Sequence, residues 1–531
     1  MEKNAKTAAD KKELDDLVRA FGENRLPLRE PCMEGTRILI LQEIGNEIKN
    51  VDGPNVIWIK GFPGVGKSAL AASIAAQLRE QDRHVISFRF DRTQSTITTD
   101  ALWRVVALGL ARLYPSVRQH ILKLVHDDKV PDPSDMNGRF KSLIETPLST
   151  LNDVPREELP VIVIDALDEC GGMRHDSSGK DDYKGLLRML KRWVQVDHLK
   201  RFKLVVTSRP EDHINRIFPE SVSIHITIPS GSDVKLGDSA SEDIRVFLES
   251  RLNEMEMKPA WIAKALDYLV PGAAGIFIWA TTVANFLEDN PEVRFCVLES
   301  RKEEVDMDDL YSLYTTVVRT SFGRILKEEV QGIVSVMGAM VYAKQPLGDD
   351  VLVMLPGVKI EDSDVMRLIR KGFSSIIDSG PILRFHHKSF EDFILSTSFL
   401  QQLPEFSAVQ DRGYHERQLA VLCLKTLSSP KLHFNMCSLA SSTIKNVDIQ
   451  PAVKSTIPPL ILYSSLFWVD HLTQTPFEEK LLEAVKFVMY EKLLFWLEVM
   501  GLSSNVHEAY SIIKRALARK VCSQVISPRP I

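Results

Sequence analysis

Eight consecutive residues constrain this chain more than any others. Residues 61–68 read Gly-Phe-Pro-Gly-Val-Gly-Lys-Ser and match the pattern GxxxxGK[ST] in full. The glycines let the backbone turn so tightly that successive N–H groups face one anion, and the following helix adds the partial positive charge of its N-terminus. An apolar run precedes the motif and an Ala-rich run follows it, as the required strand–loop–helix context demands. The motif alone therefore predicts a phosphate-binding site, and it suits the phosphates of a purine nucleoside triphosphate if further residues of the chain support one.

Each residue type in the motif has a chemical task. We predict that Lys67 contacts the β- and γ-phosphates and that the Ser68 hydroxyl binds Mg2+. An accidental glycine-rich turn is the alternative, and the full match in the required context argues against it. The remaining predicted contacts come from the loop and the first helical turn: Gly61, Gly64, Val65, Gly66 and Ala69.

A second signal is a set of acids at the end of an apolar run. Residues 160–165 (PVIVID) predict a buried strand, and a carboxylate at its end is costly unless it meets a cation, directly or through a metal-bound water. Asp165 is therefore predicted to bind Mg2+ together with Ser68. Asp168 and Glu169 follow in the loop and are predicted to help polarise the attacking water. A solvated acidic loop is the alternative for these two residues.

A third signal is the segment 204–210 (LVVTSRP). In P-loop proteins with an additional strand, such a strand inserts between the strand before the P-loop and the strand that ends in Asp165. Its end would then point Thr207, Ser208 and Arg209 at the γ-phosphate. Arg209 is predicted to report whether that phosphate is present, because its charge-assisted pairing is lost on hydrolysis. A surface arginine before a proline is the alternative.

The pattern of the whole chain predicts several domains, because 531 residues are too many for one hydrophobic core. Between residues 55 and 228, β-branched runs alternate with helical stretches, which is typical of an α/β domain with a parallel sheet. Later residues read as mostly helical, but two short runs around Ser379-Gly380-Pro381 favour a winged-helix module. The predicted strands are 55–60, 84–90, 160–165, 202–207 and 223–227, and the two later runs are 373–377 and 382–385.

The predicted fold is an α/β P-loop NTPase of the additional-strand class with a parallel sheet, followed by helical, winged-helix and C-terminal helical regions. The predicted domains are a short N-terminal segment (1–37), the P-loop domain (38–232), a helical domain (233–310), a winged-helix domain (311–399) and a helical region without recognisable repeats (400–531).

Composition excludes some classes of function. The net charge of −5 comes with no basic run, so nucleic acid is not an expected partner. The six cysteines include no CxxC pair, and the charged N-terminus is unlike a signal peptide, so we expect a cytoplasmic protein. The uncharged stretch Leu269–Leu287 is long enough to span a bilayer. Pro271, Gly272 and Gly275 interrupt it, so we expect a buried helix and no membrane span.

These motifs, in this order, resemble the NACHT branch of the signal-transduction ATPases (STAND NTPases of the NOD-like receptor type). The resemblance is strongest to fungal members and to the nephrocystin-3-like N-terminal P-loop module. The segments that carry it are 61–68 (GFPGVGKS), 161–170 (VIVIDALDEC) and 204–211 (LVVTSRPE), with weaker support from 32–37, 274–280, 387–393 and 463–472. The resemblance implies that Gly35, Thr36 and Arg37 pass near the base and that His387 contacts a bound diphosphate. A packing role is the alternative for His387.

The resemblance further implies a conformational switch that binds ATP, ADP and Mg2+ and hydrolyses ATP slowly, in immunity-like or cell-death signalling. The expected partners are proteins, either in trans or through self-association on activation. A non-hydrolysing interaction scaffold and an AAA+ type remodelling ATPase are the alternatives. Relatives of this kind usually carry an effector domain before this region and repeats after it. Their absence here predicts either partners in trans or an incomplete gene product.

Overall fold

The chain forms two compact units in this computed structural model. The first is Met1–Leu313 and the second is Tyr314–Ile531, and the finer division into five domains stays a prediction. Ser379 and Pro381 of the predicted turn lie outside the described residues. The structure describes residues 2–22, 25–91, 94, 97–132, 135–170, 177–230, 234, 238–300, 310–322, 327–358, 364–378, 380, 382–441, 444, 449–476, 478–503 and 505–518.

A five-stranded parallel sheet forms the centre of the first unit. Its strands are β1 (Val56–Lys60), β2 (Val85–Arg89), β3 (Val161–Asp165), β4 (Leu204–Ser208) and β5 (Ser223–Thr227). They run in the order β2-β3-β4-β1-β5. Leu204 of β4 pairs with Val56 of β1 on one side and with Ile162 of β3 on the other. The predicted additional strand is therefore confirmed.

Helices cover both faces of this sheet. The described helices of the first unit are α1 (Glu2–Phe21), α2 (Ile38–Lys49), α3 (Lys67–Glu80), α4 (Thr99–Leu113), α5 (Pro115–His126), α6 (Met136–Phe140), α7 (Thr146–Ser149), α8 (Ser177–Gln195), α9 (Asp212–Asn215), α10 (Ser239–Glu254), α11 (Pro259–Ala273), α12 (Phe277–Leu287) and α13 (Pro291–Ser300). Val56 and Trp58 pack with α1, α4, α5 and α8, whereas Ile57 and Ile59 pack with α2 and α3. Successive residues of β1 point to opposite faces of the sheet, so this one strand contributes apolar side chains to the core on each face.

The apolar stretch 269–287 is two helices, so the prediction of one continuous helix was wrong. α11 continues through Pro271 to Ala273, and α12 begins at Phe277. The chain turns between them because Ala274 and Gly275 take left-handed backbone angles, with φ of 44° and 77°. Among the described residues, no helix combines the length and apolarity needed to cross a bilayer.

The described part of the second unit is mostly helical and contains one antiparallel strand pair. Its described elements are α14 (Leu310–Phe322, which begins in the first unit), α15 (Lys327–Tyr342), α16 (Asp349–Leu352), α17 (Asp364–Gly372), β6 (Ile377–Asp378), β7 (Arg384–Phe385), α18 (Lys388–Ile394), α19 (Thr397–Gln402), α20 (Arg412–Ser428), α21 (Gln450–Thr456), α22 (Pro459–Thr473), α23 (Glu479–Phe487), α24 (Leu493–Leu502) and α25 (Val506–Ala518). Ile377 pairs with Phe385. The predicted strand at 373–377 begins only at Ile377, because Phe373 N–H still bonds the carbonyl of Ile369 in a helical turn.

A buried polar chain ties the helices of the second unit together. His471 of α22 bonds Glu416 of α20 (Nδ1–Oε2, 2.6 Å), and both residues are fully buried. The other ring nitrogen of His471 lies 2.7 Å from the Tyr463 hydroxyl. Lys344, which follows α15, donates from Nζ to Oε1 of Glu416 at 3.0 Å. These contacts give the sequence segment 463–472 a structural role, since buried polar groups require partners.

Candidate functional site

The loop before α3 has the strained backbone that its glycines predict. Gly64 and Gly66 have φ angles of 82° and 95°. A Cβ on Gly64 would lie 2.1 Å from Cγ2 of Ile278, whereas a Cβ on Gly66 would meet nothing within 4 Å. Gly66 is therefore required for its backbone angle alone, and Gly64 is required for its angle and for the close approach of α12.

Lys67 begins α3 and turns back over the loop. Its Nζ donates to the carbonyls of Gly61 at 2.8 Å and of Phe62 at 2.9 Å. Burial lowers the pKa of Lys67 to about 8, partly offset by the negative charge of Asp168. Among the described residues, the ammonium is thus bonded only to neutral carbonyl oxygens, an arrangement that a phosphate would improve.

Asp165 ends β3 and is fully buried. Its Oδ1 accepts a 2.6 Å hydrogen bond from Thr207, and its Oδ2 has no hydrogen-bond partner among the described residues. Burial raises the pKa of Asp165, opposed by the hydroxyls of Thr207 and Ser68 and by the charges of Arg89 and Arg29. An orphaned buried carboxylate oxygen beside a serine hydroxyl fits a Mg2+ site completed by phosphate and water oxygens.

Thr207, Ser208 and Arg209 were all predicted to point at the γ-phosphate, but the side chains of Thr207 and Ser208 are bonded to neighbouring protein groups. Thr207 Oγ1 bonds Asp165 and also accepts from the backbone N–H of Ala166 at 2.9 Å. Ser208 Oγ accepts from Nε1 of Trp58 at 2.7 Å. These two side chains therefore hold neighbouring strands and loops in place, and Arg209 is the member of the three that carries a charge at this edge.

Arg209 is paired with Asp168 across the edge of the sheet. The Arg209 Nε lies 3.3 Å from Oδ2 of Asp168, and its backbone N–H donates to Oδ1 at 3.2 Å. Asp168 belongs to the short 3-10 turn Leu167–Glu169, in which Glu169 is half-buried. Because β4 lies directly beside β3, the insertion of the additional strand brings these two residues together.

Two arginines that sequence reasoning did not single out lie near the acids. Arg89 ends β2 in register with Asp165, and its Nη2 pairs with Oδ2 of Asp91 at 3.0 Å. Burial and the charge of Arg89 lower the pKa of Arg29, and the charges of Asp91, Glu169 and Asp165 oppose that fall. The only sequence signal for Arg89 was its place at the end of a predicted strand, and Arg29 had none.

Arg37 fastens the P-loop to the helices that follow the sheet. Its Nη2 donates to the carbonyl of Val65 at 2.8 Å, and its guanidinium carbon lies 4.8 Å from the ring centre of Phe277. Its backbone N–H donates to Oδ1 of Asp243 at 2.8 Å. The guanidinium is 5% exposed, so these contacts place Arg37 inside the protein beside the loop. The neighbouring Thr36 is also buried and bonds the carbonyl of Met33 at 2.7 Å.

His387 belongs to the second unit and is the N-cap residue directly before α18. Its Nδ1 accepts from the backbone N–H of Ser389 at 3.1 Å and lies 2.7 Å from the Ser389 hydroxyl. That hydroxyl also lies 2.7 Å from the hydroxyl of Tyr314. His387 thus caps a helix, and its predicted contact with a diphosphate stays a prediction.

The remaining predicted contacts all lie at the P-loop. Val65 is a fully buried residue of the loop, and Ser68 and Ala69 lie in the first turn of α3. The structure therefore gathers at one edge of the sheet a glycine loop with a helix N-terminus, a lysine, a buried carboxylate and an arginine–aspartate pair. This set can bind a polyphosphate with a divalent cation and distinguish its terminal group.

Comparison with known proteins shows what this region is similar to. Residues 35–209 match the model of the family described as nephrocystin 3, N-terminal. The vegetative incompatibility protein HET-E-1 of Podospora anserina is 24% identical over 495 residues, which cover 87% of this chain and 34% of that protein. This chain thus spans about a third of the length of that relative. The predicted resemblance to NACHT-type P-loop NTPases is confirmed by these matches.

Two solved structures align over most of the chain. A signal transduction ATPase with numerous domains and a tetratricopeptide repeat sensor, from Pyrococcus horikoshii, aligns with a TM-score of 0.40 at 15% identity, covering 94% of this chain and 67% of that one. The ORC2 protein of Aeropyrum pernix in its ADP form aligns with a TM-score of 0.30 at 13% identity, covering 74% and 98%.

Proposed function

We propose, from the premise that residues 35–209 are a P-loop module of the nephrocystin 3 N-terminal type, that this chain is a nucleotide-dependent conformational switch. It binds ATP or ADP with Mg2+ and hydrolyses ATP slowly. The observation that carries the proposal is the pairing of Arg209 with Asp168 beside the P-loop lysine. A cation held at this place by a carboxylate has a second, stronger partner when a γ-phosphate arrives.

The roles follow from the chemistry of each group. The loop N–H groups and Lys67 hold the phosphates, and Ser68 with the orphaned Oδ2 of Asp165 holds Mg2+. Bound Mg2+ neutralises charge on the phosphate oxygens. Asp168 and Glu169 orient and polarise the attacking water, and hydrolysis removes the group that Arg209 contacts.

The change of nucleotide reaches the rest of the first unit through the loop itself. The carbonyl of Gly64 accepts from the backbone N–H of Ile278 at 2.9 Å, and the carbonyl of Val65 accepts from Arg37. A movement of the loop by a fraction of an ångström would therefore strain contacts with α12. Because ATP and ADP differ in the group that Arg209 contacts, the two nucleotides favour different arrangements of the loop and of the helices bonded to it. Protein partners or other copies of the chain bind the ATP form.

Nucleotide content and turnover test this proposal. Purified wild type should contain ADP, and Lys67→Ala should contain none, with Lys49→Ala as a lysine control outside the site. In single-turnover experiments, the wild type should hydrolyse ATP slowly and Glu169→Gln should not hydrolyse it. Equal rates would support a non-hydrolysing scaffold, and several turnovers per second would support a remodelling ATPase. ADP retained by Lys67→Ala would overturn the P-loop assignment.

A further inference from the structure

A contact between Tyr183 and His213 lies beside the Arg209–Asp168 pair. The proposed function gives this contact no task. The hydroxyl of Tyr183, on α8, lies 2.6 Å from Nε2 of His213, on α9. Their rings meet edge to face, with centres 5.2 Å apart and planes at 89°. Oε2 of Glu211 lies 2.9 Å from the same nitrogen.

We infer that Tyr183 and His213 are positioning residues that fix the segment carrying Arg209, and thereby set the chain's preference for a nucleotide with a γ-phosphate. The inference rests on the proposed switch function and deepens it. It concerns residues that touch neither phosphate nor Mg2+ and act through Arg209.

The segment 209–213 is held at both of its ends. At its start, Asp168 accepts from the backbone N–H and from Nε of Arg209. At its end, His213 is held by Tyr183. Between them, the N–H of Glu211 bonds the carbonyl of Arg209 at 2.9 Å, and proline fixes one backbone angle at position 210. The segment therefore has little freedom other than the side-chain torsions of Arg209.

The histidine contact persists in either protonation state of the nitrogen. Without a proton, Nε2 accepts from the Tyr183 hydroxyl, and with one it donates to Glu211 or to the Tyr183 oxygen. Burial, followed by the charges of Glu211, Asp168 and Cys170, raises the pKa of Tyr183, so its hydroxyl keeps the proton that it donates. The imidazole thus remains fastened to α8.

Fixing the backbone matters because Arg209 must exchange partners. When a γ-phosphate arrives, the guanidinium leaves Oδ2 of Asp168, while the backbone bond to Oδ1 can remain. A charged hydrogen bond is strong only when the donor is already near its acceptor. If the segment moves by about 1 Å, most of the affinity that Arg209 gains from the γ-phosphate is lost. In the proposed function the first two phosphates are held by the loop and Lys67 and not by Arg209, so the affinity for ADP should hardly change.

The test compares affinities for ADP and for a non-hydrolysable ATP analogue, both with Mg2+, in the full chain. Tyr183→Phe removes the hydroxyl and keeps the ring. His213→Leu removes the imidazole that this hydroxyl contacts, at a half-exposed position where the change is tolerated more easily than in the core. Each should weaken the ATP analogue relative to ADP by about three- to tenfold, as the loss of one hydrogen bond implies. The double variant should add little, because both changes remove the same contact.

Controls separate positioning from simple stabilisation. His213→Gln keeps a group that can bond Tyr183 and should restore much of the ratio. Tyr268→Phe is the matched control, since its half-buried hydroxyl bonds the carbonyl of Leu298 at 3.0 Å in another part of the first unit, and it should leave the ratio unchanged. Arg209→Ala should show the largest change in the ratio.

The outcomes distinguish the inference from the function on which it rests. Unchanged ratios in Tyr183→Phe and His213→Leu, beside a wild type that binds both nucleotides, would overturn the inference alone. A wild type that binds neither nucleotide would overturn the proposed function and the inference with it. A changed ratio at an unchanged Tm supports the inference, because a purely structural contact alters Tm and leaves the ratio alone.

Discussion

The hydroxyl of Thr207 donates a 2.6 Å hydrogen bond to Oδ1 of Asp165, joining the ends of β4 and β3 at the centre of the sheet. The Thr207 hydroxyl oxygen also accepts from the N–H of Ala166, whose φ is 57°. Thr207 therefore holds both the buried carboxylate and the left-handed turn that leads to Asp168. One hydroxyl on the additional strand thus orders the predicted metal ligand and the loop that follows it.

Thr207→Val should destabilise the chain, because it keeps the shape of the side chain and removes both hydrogen bonds. The expected loss in the free energy of unfolding is about 1–3 kcal/mol for leaving a buried acceptor unpaired. Urea denaturation measures it. Thr207→Ser retains the hydroxyl and should lose much less. An equal loss in both variants would show that the methyl group, and not the hydroxyl, is what matters.

Gly64→Ala and Gly66→Ala should differ in whether they can be rescued. Both force a side chain into the left-handed region at a cost of about 1–2 kcal/mol. Only Gly64→Ala also collides with Ile278. Adding Ile278→Ala should therefore recover part of the nucleotide affinity lost in Gly64→Ala and none of that lost in Gly66→Ala. Calorimetric titration with ADP measures both, and equal recovery would contradict the observed packing.

Nucleotide affinity should fall as pH rises through about 8, because Lys67 has its pKa lowered to about 8 by burial. A bound phosphate favours the charged ammonium, so binding above this pH takes up a proton and weakens by up to about tenfold per pH unit. Titrations in buffers of different ionisation enthalpy measure the proton uptake. In Lys67→Arg, which stays charged across this range, the pH dependence should be absent.

The same group also affects stability without nucleotide. The folded pKa of Lys67 is below its unfolded value of 10.5, so between about 8 and 10.5 the unfolded chain binds more protons. The free energy of unfolding should therefore gain a contribution that rises with pH across this window, and Lys67→Met should lack it. Thermal unfolding at pH 8 and pH 10 tests the sign.

The second unit should be sensitive to acid through Glu416 and His471. Burial acts to raise the pKa of Glu416, but His471 and Lys344 outweigh it and the pKa lies below its usual value. Burial lowers the pKa of His471. Both groups therefore give stability that is present at neutral pH. The part from His471 is lost as pH falls below its unfolded value, and the part from Glu416 is lost as pH falls through its folded value.

Breaking this pair should be costly. His471→Phe leaves the Glu416 carboxylate buried with one partner fewer, and we expect a loss of about 3–5 kcal/mol. Stability should then depend less on pH between 4 and 7. Chemical denaturation across that range measures both effects. His433→Phe, on an exposed histidine, is the control, and an undiminished pH dependence in His471→Phe would show that other groups set the acid response.

Local sequence pattern was enough for the sheet and for the P-loop. Short β-branched runs identified the five strands, three of them continuously apolar as strands buried on both faces are, and the glycine spacing identified the loop. The pattern failed at 269–287 and at 373–377. In the first, a left-handed break depends on Ala274, a residue type that gives no such signal. In the second, a helical turn continues through Phe373 although its residues favour strands.

The sequence by itself determined which chemical groups this chain carries and where each lies along a strand: the lysine after the glycine loop, Asp165 at the end of one apolar run and Arg209 just after another. Only the tertiary structure decided how they pair. Arg209 meets Asp168 because β4 inserts beside β3, and Arg37 and Ile278 reach the loop from distant positions in the chain. Such contacts depend on which elements become neighbours, and no local pattern of residues encodes the partner across a sheet or a helix interface.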